Sequence, residues 1–243
     1  MRTMRDTTAQ TVTIGPKVSE SATELLNMAE SMLGWRVSRA GLEPKQEAIR
    51  VYILRQYPLL GRAPNCQEIT DRFGCTSPRE AQATLELLHT LDLLYLEPES
   101  REIRLVYPYS TAPTKHVVRF QDWAETKSVY APCAIDALGI PFMLRRDLLI
   151  TSSCASCQKS LTIEVRDRMI VACTTAEIVL WVGTAYCDHA ATSLCPTLDF
   201  FCSSGHVAAW RQERPPGEAG CVLDLGEALY VAKGTFEDVL QAH

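Results

Sequence analysis

No run of residues in this chain approaches the roughly eighteen consecutive apolar positions that a membrane-spanning helix needs, so helical transmembrane classes are excluded. Met1 to Thr7 lead into a polar stretch without the apolar segment of a secretory signal, and the expectation is a cytoplasmic protein with no membrane partner. An excess of one charge is missing too. A formal net charge of -5 and a pI near 5.6 give no global attraction to nucleic acid, so DNA binding would need a local basic face. Neither a second CxxC nor an HxxxH accompanies Cys154-Ala155-Ser156-Cys157, which leaves a structural zinc site incomplete in the sequence.

Cysteine, by contrast, is abundant. Ten cysteines in a reducing compartment read as core residues or as metal and redox ligands rather than as disulfide staples. At 243 residues the chain has room for one large domain or two smaller ones.

Three regions are expected. Residues 1–43 combine a polar arm, unstructured to about residue 20, with a helix from Ser21 whose apolar positions are Leu25, Leu26, Met28, Ala29 and Met32. Residues 44–110 read as a helical unit. Lys45 to Tyr57 forms a first helix broken at Pro58; Asn65 caps a second that Gly74 closes; Ser77, with Pro78 and a Glu80 capping box, starts a third. A hairpin then pairs residues 94–96 with 103–107, and the whole unit resembles a winged helix-turn-helix. Its reading helix, Arg79 to Glu86, carries no basic excess, so a packing role is favoured and nucleic-acid binding is not expected.

Residues 111–243 turn to short strands, at 117–120, 148–151, 160–165, 176–182 and 197–202. Helices are expected from about Pro132 until Gly139 and Pro141, from Ser203 toward Arg214, and around Leu223 to Val231. The fold class is α+β: a winged-helix-like helical domain followed by an α+β catalytic domain with mainly antiparallel strands.

Cys133 and Asp136 fall three residues apart at the start of a predicted helix, on nearly one face. Unpaired N–H groups in a first helical turn lower a thiol pKa, so a reactive thiolate is expected beside a proton carrier. A buried small residue and a dipole-pairing aspartate are the bland alternatives.

The stretch Tyr130-Ala131-Pro132-Cys133-Ala134-Ile135-Asp136-Ala137-Leu138, then Ile140-Pro141 and Thr151-Ser152-Ser153-Cys154, resembles the core of the alkylmercury (organomercurial) lyases. So does Ser193-Leu194-Cys195 with Phe200-Phe201 and Trp210 after it. The resemblance implies an enzyme that cleaves R–Hg⁺ to RH and Hg²⁺ by protonolysis. Cys133 and Cys195 map onto the mercury-binding cysteines, Asp136 onto the catalytic aspartate, and Cys154 onto a structural cysteine. It further implies an organomercurial substrate, Hg²⁺ as bound product, free thiol as co-reactant, cellular thiols or a mercuric reductase as Hg²⁺ acceptor, and no organic cofactor. Pro132 stands where the family usually has a large residue, Pro196 where it often has another cysteine, and Thr197 and Asp199 where histidines are common.

Cys154 and Cys157 form a second cluster, read as a buried thiol and an exposed one that relays mercury, with zinc as the minor alternative. Cys173, Cys187, His189, Cys202 and Cys221 could complete a metal site only through the fold. His116, His206, Cys66 and Cys75 show no pattern, and a helix end accounts for His206. Two other functions stay open: a metal- or thiol-responsive winged-helix transcriptional regulator, and a lyase-like homologue acting on another substrate.

Overall fold

The computed structural model describes residues 10–33, 41–214 and 218–241; side chains of 31–33, including the expected apolar Met32, lie outside the described residues, as do residues 1–9 of the polar arm. Twelve strands build two sheets among the described residues. They are β1 (Gln10–Ile14), β2 (Tyr95–Leu96), β3 (Ile103–Val106), β4 (Tyr109–Ser110), β5 (His116–Phe120), β6 (Val129–Ala131), β7 (Leu148–Ser153), β8 (Ser160–Arg166), β9 (Met169–Cys173), β10 (Val179–Gly183), β11 (Leu198–Phe201) and β12 (Gly220–Asp224). The helices are α1 (Glu20–Leu33), α2 (Pro44–Leu60), α3 (Cys66–Phe73), α4 (Pro78–Thr90), α5 (Ala134–Leu144), α6 (Ala190–Ser193), α7 (Ser204–Gln212) and α8 (Leu225–Phe236).

The large sheet runs β1-β9-β8-β7-β5-β6-β4-β3-β2 and the small one β11-β10-β12, every pairing antiparallel. Period-2 patterning explains the central strands: Leu148, Ile150 and Ser152 of β7 are buried, as are Leu161, Ile163 and Val165 of β8. The mixed fold with antiparallel strands is as expected. Residues 10–14, expected to be unstructured, instead pair with β9 at the sheet edge, because Val12 and Ile14 pack on the core.

α5 sits at the centre, against α8 and strands of both sheets, with every residue from Ala134 to Met143 buried. A helix apolar on all sides belongs in such a place. It was expected to stop at Gly139 and Pro141, yet it runs to Leu144. Gly139 serves packing rather than termination: a Cβ there would meet the Phe236 ring at 2.1 Å, so only glycine lets α8 come this close. Pro141 forgoes the bond to the Ala137 carbonyl and is accommodated inside the buried helix.

The helical unit follows its sequence signals with two changes. Asn65 accepts the Glu68 N–H at 2.9 Å, Glu68 returns the bond to the Asn65 N–H, and Gly74 closes α3 at φ 57°. α2 passes through Pro58 to Leu60, where Gly61 at φ 70° ends it. Ser77 makes no side-chain cap to α4, because Glu80 instead accepts from the Thr76 N–H and Oγ1 and from Lys45. The β2–β3 hairpin extends the large sheet rather than standing apart from it. Strands β4, β6, β9 and β12 went unread; β12 occupies the start of the segment expected to be helical from Leu223.

Candidate active site

β6 ends at Ala131, and the chain turns through Pro132 into α5 with Cys133 as its N-cap, in extended conformation at φ -146° and ψ 176°. The expectation placed Cys133 inside the first turn; it stands one step before, where its Sγ accepts the Asp136 N–H at 3.4 Å. Asp136 projects back over it. The Cys133 thiol donates to Asp136 Oδ2 at 2.9 Å, and the Cys195 thiol reaches the same oxygen at 3.6 Å. Cys195 lies 59 positions beyond Asp136 in sequence and on a separate element, yet both cysteines converge on one carboxylate oxygen.

Cys195 opens a 3₁₀ turn, Cys195–Thr197, directly after α6. The segment that leads into this turn is anchored by Asp92, a buried residue at φ 52° after α4. Asp92 accepts from Tyr107 Oη at 3.0 Å, Tyr186 Oη at 3.1 Å and the Ala190 N–H at 3.0 Å, and pairs with His189 Nδ1 at 3.2 Å. Tyr107 Oη in turn accepts the Ala191 N–H at 2.8 Å. Below the turn, β10 presses close: a Cβ on Gly183 would lie 2.4 Å from Thr197 Oγ1.

Burial decides the electrostatics. Cys133 is 2%, Asp136 3% and Cys195 9% exposed. Desolvation pushes the Cys133 thiol well above its ordinary range, with Cys195 and Asp136 adding to the rise, so the expected low thiol pKa is reversed. For Cys195, the Cys133 hydrogen bond pulls down, but burial and the Asp136 charge outweigh it and the thiol ends raised. Burial lifts Asp136 to about 6, against the two thiol hydrogen bonds that favour its ionised form. At neutral pH the resting state is therefore two thiols donating to one carboxylate. The group faces a cavity of ≈ 70 Å³ whose almost wholly apolar wall includes Leu25 and Met28 of α1, Tyr107, Leu198, Val231 and Phe236.

A second group of thiols lies elsewhere. Cys154 and Cys157, in the β7–β8 turn, meet Cys202 and His206 from the β11–α7 junction, the four ligand atoms all within 4.8 Å of one another. The helix-end explanation of His206 is thus incomplete: Ser203 caps α7, and the His206 ring turns to the thiols, with Nδ1 at 2.8 Å from Cys202 Sγ. The sequence signal for this pairing is the Cys-x₃-His spacing at 202–206, which neither a CxxC nor an HxxxH pattern captures. Cys202 is pushed up to about 12 by burial and by the thiols of Cys157 and Cys154. Burial also raises Cys154, but N–H groups of Cys157, Cys202 and Ser156, with the Cys157 thiol, outweigh it and hold Cys154 near 7. One thiolate is thereby favoured and shared.

His116, read as patternless, is buried between Ser152 Oγ, at 2.9 Å, and Asp199, at 3.4 Å. Burial lowers its pKa while Asp199 works against the shift, and the contacts join β5, β7 and β11. Cys66 and Cys75 are half-buried against the core, and Trp181 is buried within it. Cys187 is exposed and Cys173 buried, each apart from both clusters.

The family model described as "MerB: Alkylmercury lyase" matches residues 109–237. A Staphylococcus epidermidis alkylmercury lyase is 28% identical over 143 residues, which cover 58% of this chain and 63% of that relative's length. A Bacillus cereus alkylmercury lyase is 24% identical over 172 residues, covering 70% and 76% of the two chains. The fold is similar to that of a structure described as "Crystal structure of the mercury-bound form of MerB2", with a TM-score of 0.72 at 21% identity, over 90% of this chain and 100% of that one. The matched span contains strands β4 to β12, the central helix and all three members of the thiol–carboxylate group, and the chain belongs to the alkylmercury lyase family.

Proposed function

We propose that this protein is an organomercurial lyase that cleaves the carbon–mercury bond by protonolysis, with Cys133 and Cys195 binding mercury and Asp136 carrying the proton. One observation carries the reading: a single carboxylate oxygen within reach of two buried thiols, 2.9 and 3.6 Å away, at an apolar cavity.

The substrate enters as R–Hg–SR′, the thiol adduct. Cys133 exchanges with the R′S ligand, and R′SH leaves with the Cys133 proton. Cys195 then adds to mercury as a third ligand and gives its proton to Asp136, since metal coordination lowers a thiol pKa far below its resting value. The extra thiolate pushes electron density onto carbon. Asp136 delivers its proton there, the C–Hg bond breaks, and RH departs, leaving mercury between two sulfurs and Asp136 ionised. Two further R′SH carry mercury off as Hg(SR′)₂ and return a proton to each cysteine. Oxidation states do not change, so the residues need no organic cofactor.

A carboxyl near 6 suits both halves of this task, accepting a proton at neutral pH and surrendering it to carbon. The apolar wall sets few polar groups beside the reacting carbon to compete for the proton. A cytoplasmic setting supplies both the thiol and the reducing conditions that ten free cysteines call for. The helical unit is assigned a scaffold role. Its candidate reading helix spends its polar groups internally, Glu86 on Arg101 and Gln82 on the Arg101 carbonyl, which leaves little to read a groove.

Incubation of the purified chain with phenylmercury and excess thiol should release benzene, and Cys133→Ala should stop it. Absence of benzene from the intact protein would overturn the proposal.

A further inference from the structure

We propose that Cys154, Cys157, Cys202 and His206 form a second metal site that holds a tetrahedral Zn²⁺ ion, distinct from the thiol–carboxylate group. Three thiols and one imidazole are a complete structural zinc set, and nothing in the proposed lyase chemistry uses them.

The spacing of the ligand atoms fits an ion at their centre. Zn–S bonds of about 2.3 Å in a tetrahedron put neighbouring ligands about 3.8 Å apart. Cys157 Sγ and Cys202 Sγ are 3.7 Å apart, and Cys154 Sγ and His206 Nδ1 are 3.8 Å apart. Cys202 Sγ and His206 Nδ1, at 2.8 Å, form a short edge, which a modest turn of the half-exposed imidazole lengthens. Cys154 is buried and Cys157 exposed, so the site is anchored on one side and open to loading on the other.

Chain connectivity gives the ion a structural task. One pair of ligands sits in the turn after β7 of the large sheet, and the other follows β11 of the small sheet. A single backbone bond, Ala155 N–H to the Phe200 carbonyl at 3.0 Å, already ties the two segments. Zinc would lock them at the far end of the strand that Cys195 and its 3₁₀ turn lead into. The same donor set binds Hg²⁺ avidly, so the site also draws mercury when zinc is scarce.

The test is independent of lyase activity. The full chain, purified from zinc-supplemented medium in reducing buffer and dialysed, should retain about one zinc per chain by elemental analysis. Replacement by Co²⁺ should give the intense visible absorption of a tetrahedral thiolate complex. Cys157→Ser, at an exposed position where folding is least disturbed, should lose most of the metal, and His206→Ala should change the cobalt spectrum. Cys133→Ala with Cys195→Ala should leave both readouts intact, and chelation should lower the melting temperature of the intact chain alone. Three results would each overturn the site: no zinc and no tetrahedral cobalt spectrum in the intact chain, loss of metal with the Cys133 and Cys195 pair instead, or a Cys157–Cys202 disulfide in its place under reducing conditions.

Discussion

The molecule has two thiol clusters, and they differ in the group that completes them. Around Cys133 and Cys195 the third member is a buried carboxylate; around Cys154, Cys157 and Cys202 it is an imidazole with access to solvent. A carboxylate can take and return a proton, and under the proposed lyase reading it leaves a bound mercury with a position for a carbon ligand. An imidazole closes a tetrahedron and leaves no such position. Coordination number, more than thiol count, therefore separates reaction from storage or structure.

The strongest way to break that comparison is to exchange the effects of single cysteines. Cys133→Ala or Cys195→Ala should reduce benzene release to the uncatalysed level while metal content stays put. Cys157→Ser should do the reverse, removing the ion and preserving turnover. Equal loss of both properties in either variant would mean that the clusters act as one.

Next in size is Asp136→Asn, which should lower kcat about 10²- to 10⁴-fold, the range for loss of a positioned proton carrier. Wild-type activity should fall as pH drops through about 6, where Asp136 becomes protonated and can no longer accept from Cys195. Stability should move the other way. Because the folded chain binds this proton more tightly than the unfolded one, stability is fullest below about pH 4 and is lost as pH rises through about 6. The amide should thus stabilise by roughly 2–3 kcal/mol at pH 8 and hardly at all at pH 4, read as a pH-dependent difference in melting temperature. A flat difference would place the carboxyl outside this environment.

Asp92→Ala should cost about 3 kcal/mol, since several donors lose a buried acceptor at once. Denaturant midpoints would register that loss, and substrate turnover should suffer more than zinc retention, because Asp92 anchors Tyr107 and the 186–190 segment that leads to Cys195 and bonds to no residue of the second cluster. Gly139→Ala is the mildest, at about 1–3 kcal/mol from overpacking against Phe236, with zinc content unaffected.

Legibility in the sequence tracked how local each determinant is. Asn65, Gly74 and the alternating β8 act within a few residues, and they fold as read. Cys133 and Asp136 were legible by spacing, whereas Cys195 joined them only through resemblance, because no local pattern links position 195 to 136. Gly139 and Pro141 misled because their usual meaning as helix stops gave way to a tertiary contact and to burial. The thiol pKa misled for the same reason: a helix N-terminus is a local effect, and desolvation, which reversed it, is a property of the whole core. His206 has a local signal in Cys202, four residues before it, but the rest of its set was hidden because Cys154 lies 52 positions away.

Asp92 carries a consequence for how such a chain can change over time. It belongs to the helical unit, yet its carboxylate grips the segment that leads to Cys195. The helical unit is therefore not portable: grafting it elsewhere, or replacing it with a relative of the same shape, would strip the anchor from the second half. The two halves must be inherited together, and drift at position 92 is constrained by Tyr107, Tyr186 and His189 as firmly as a position beside the cavity.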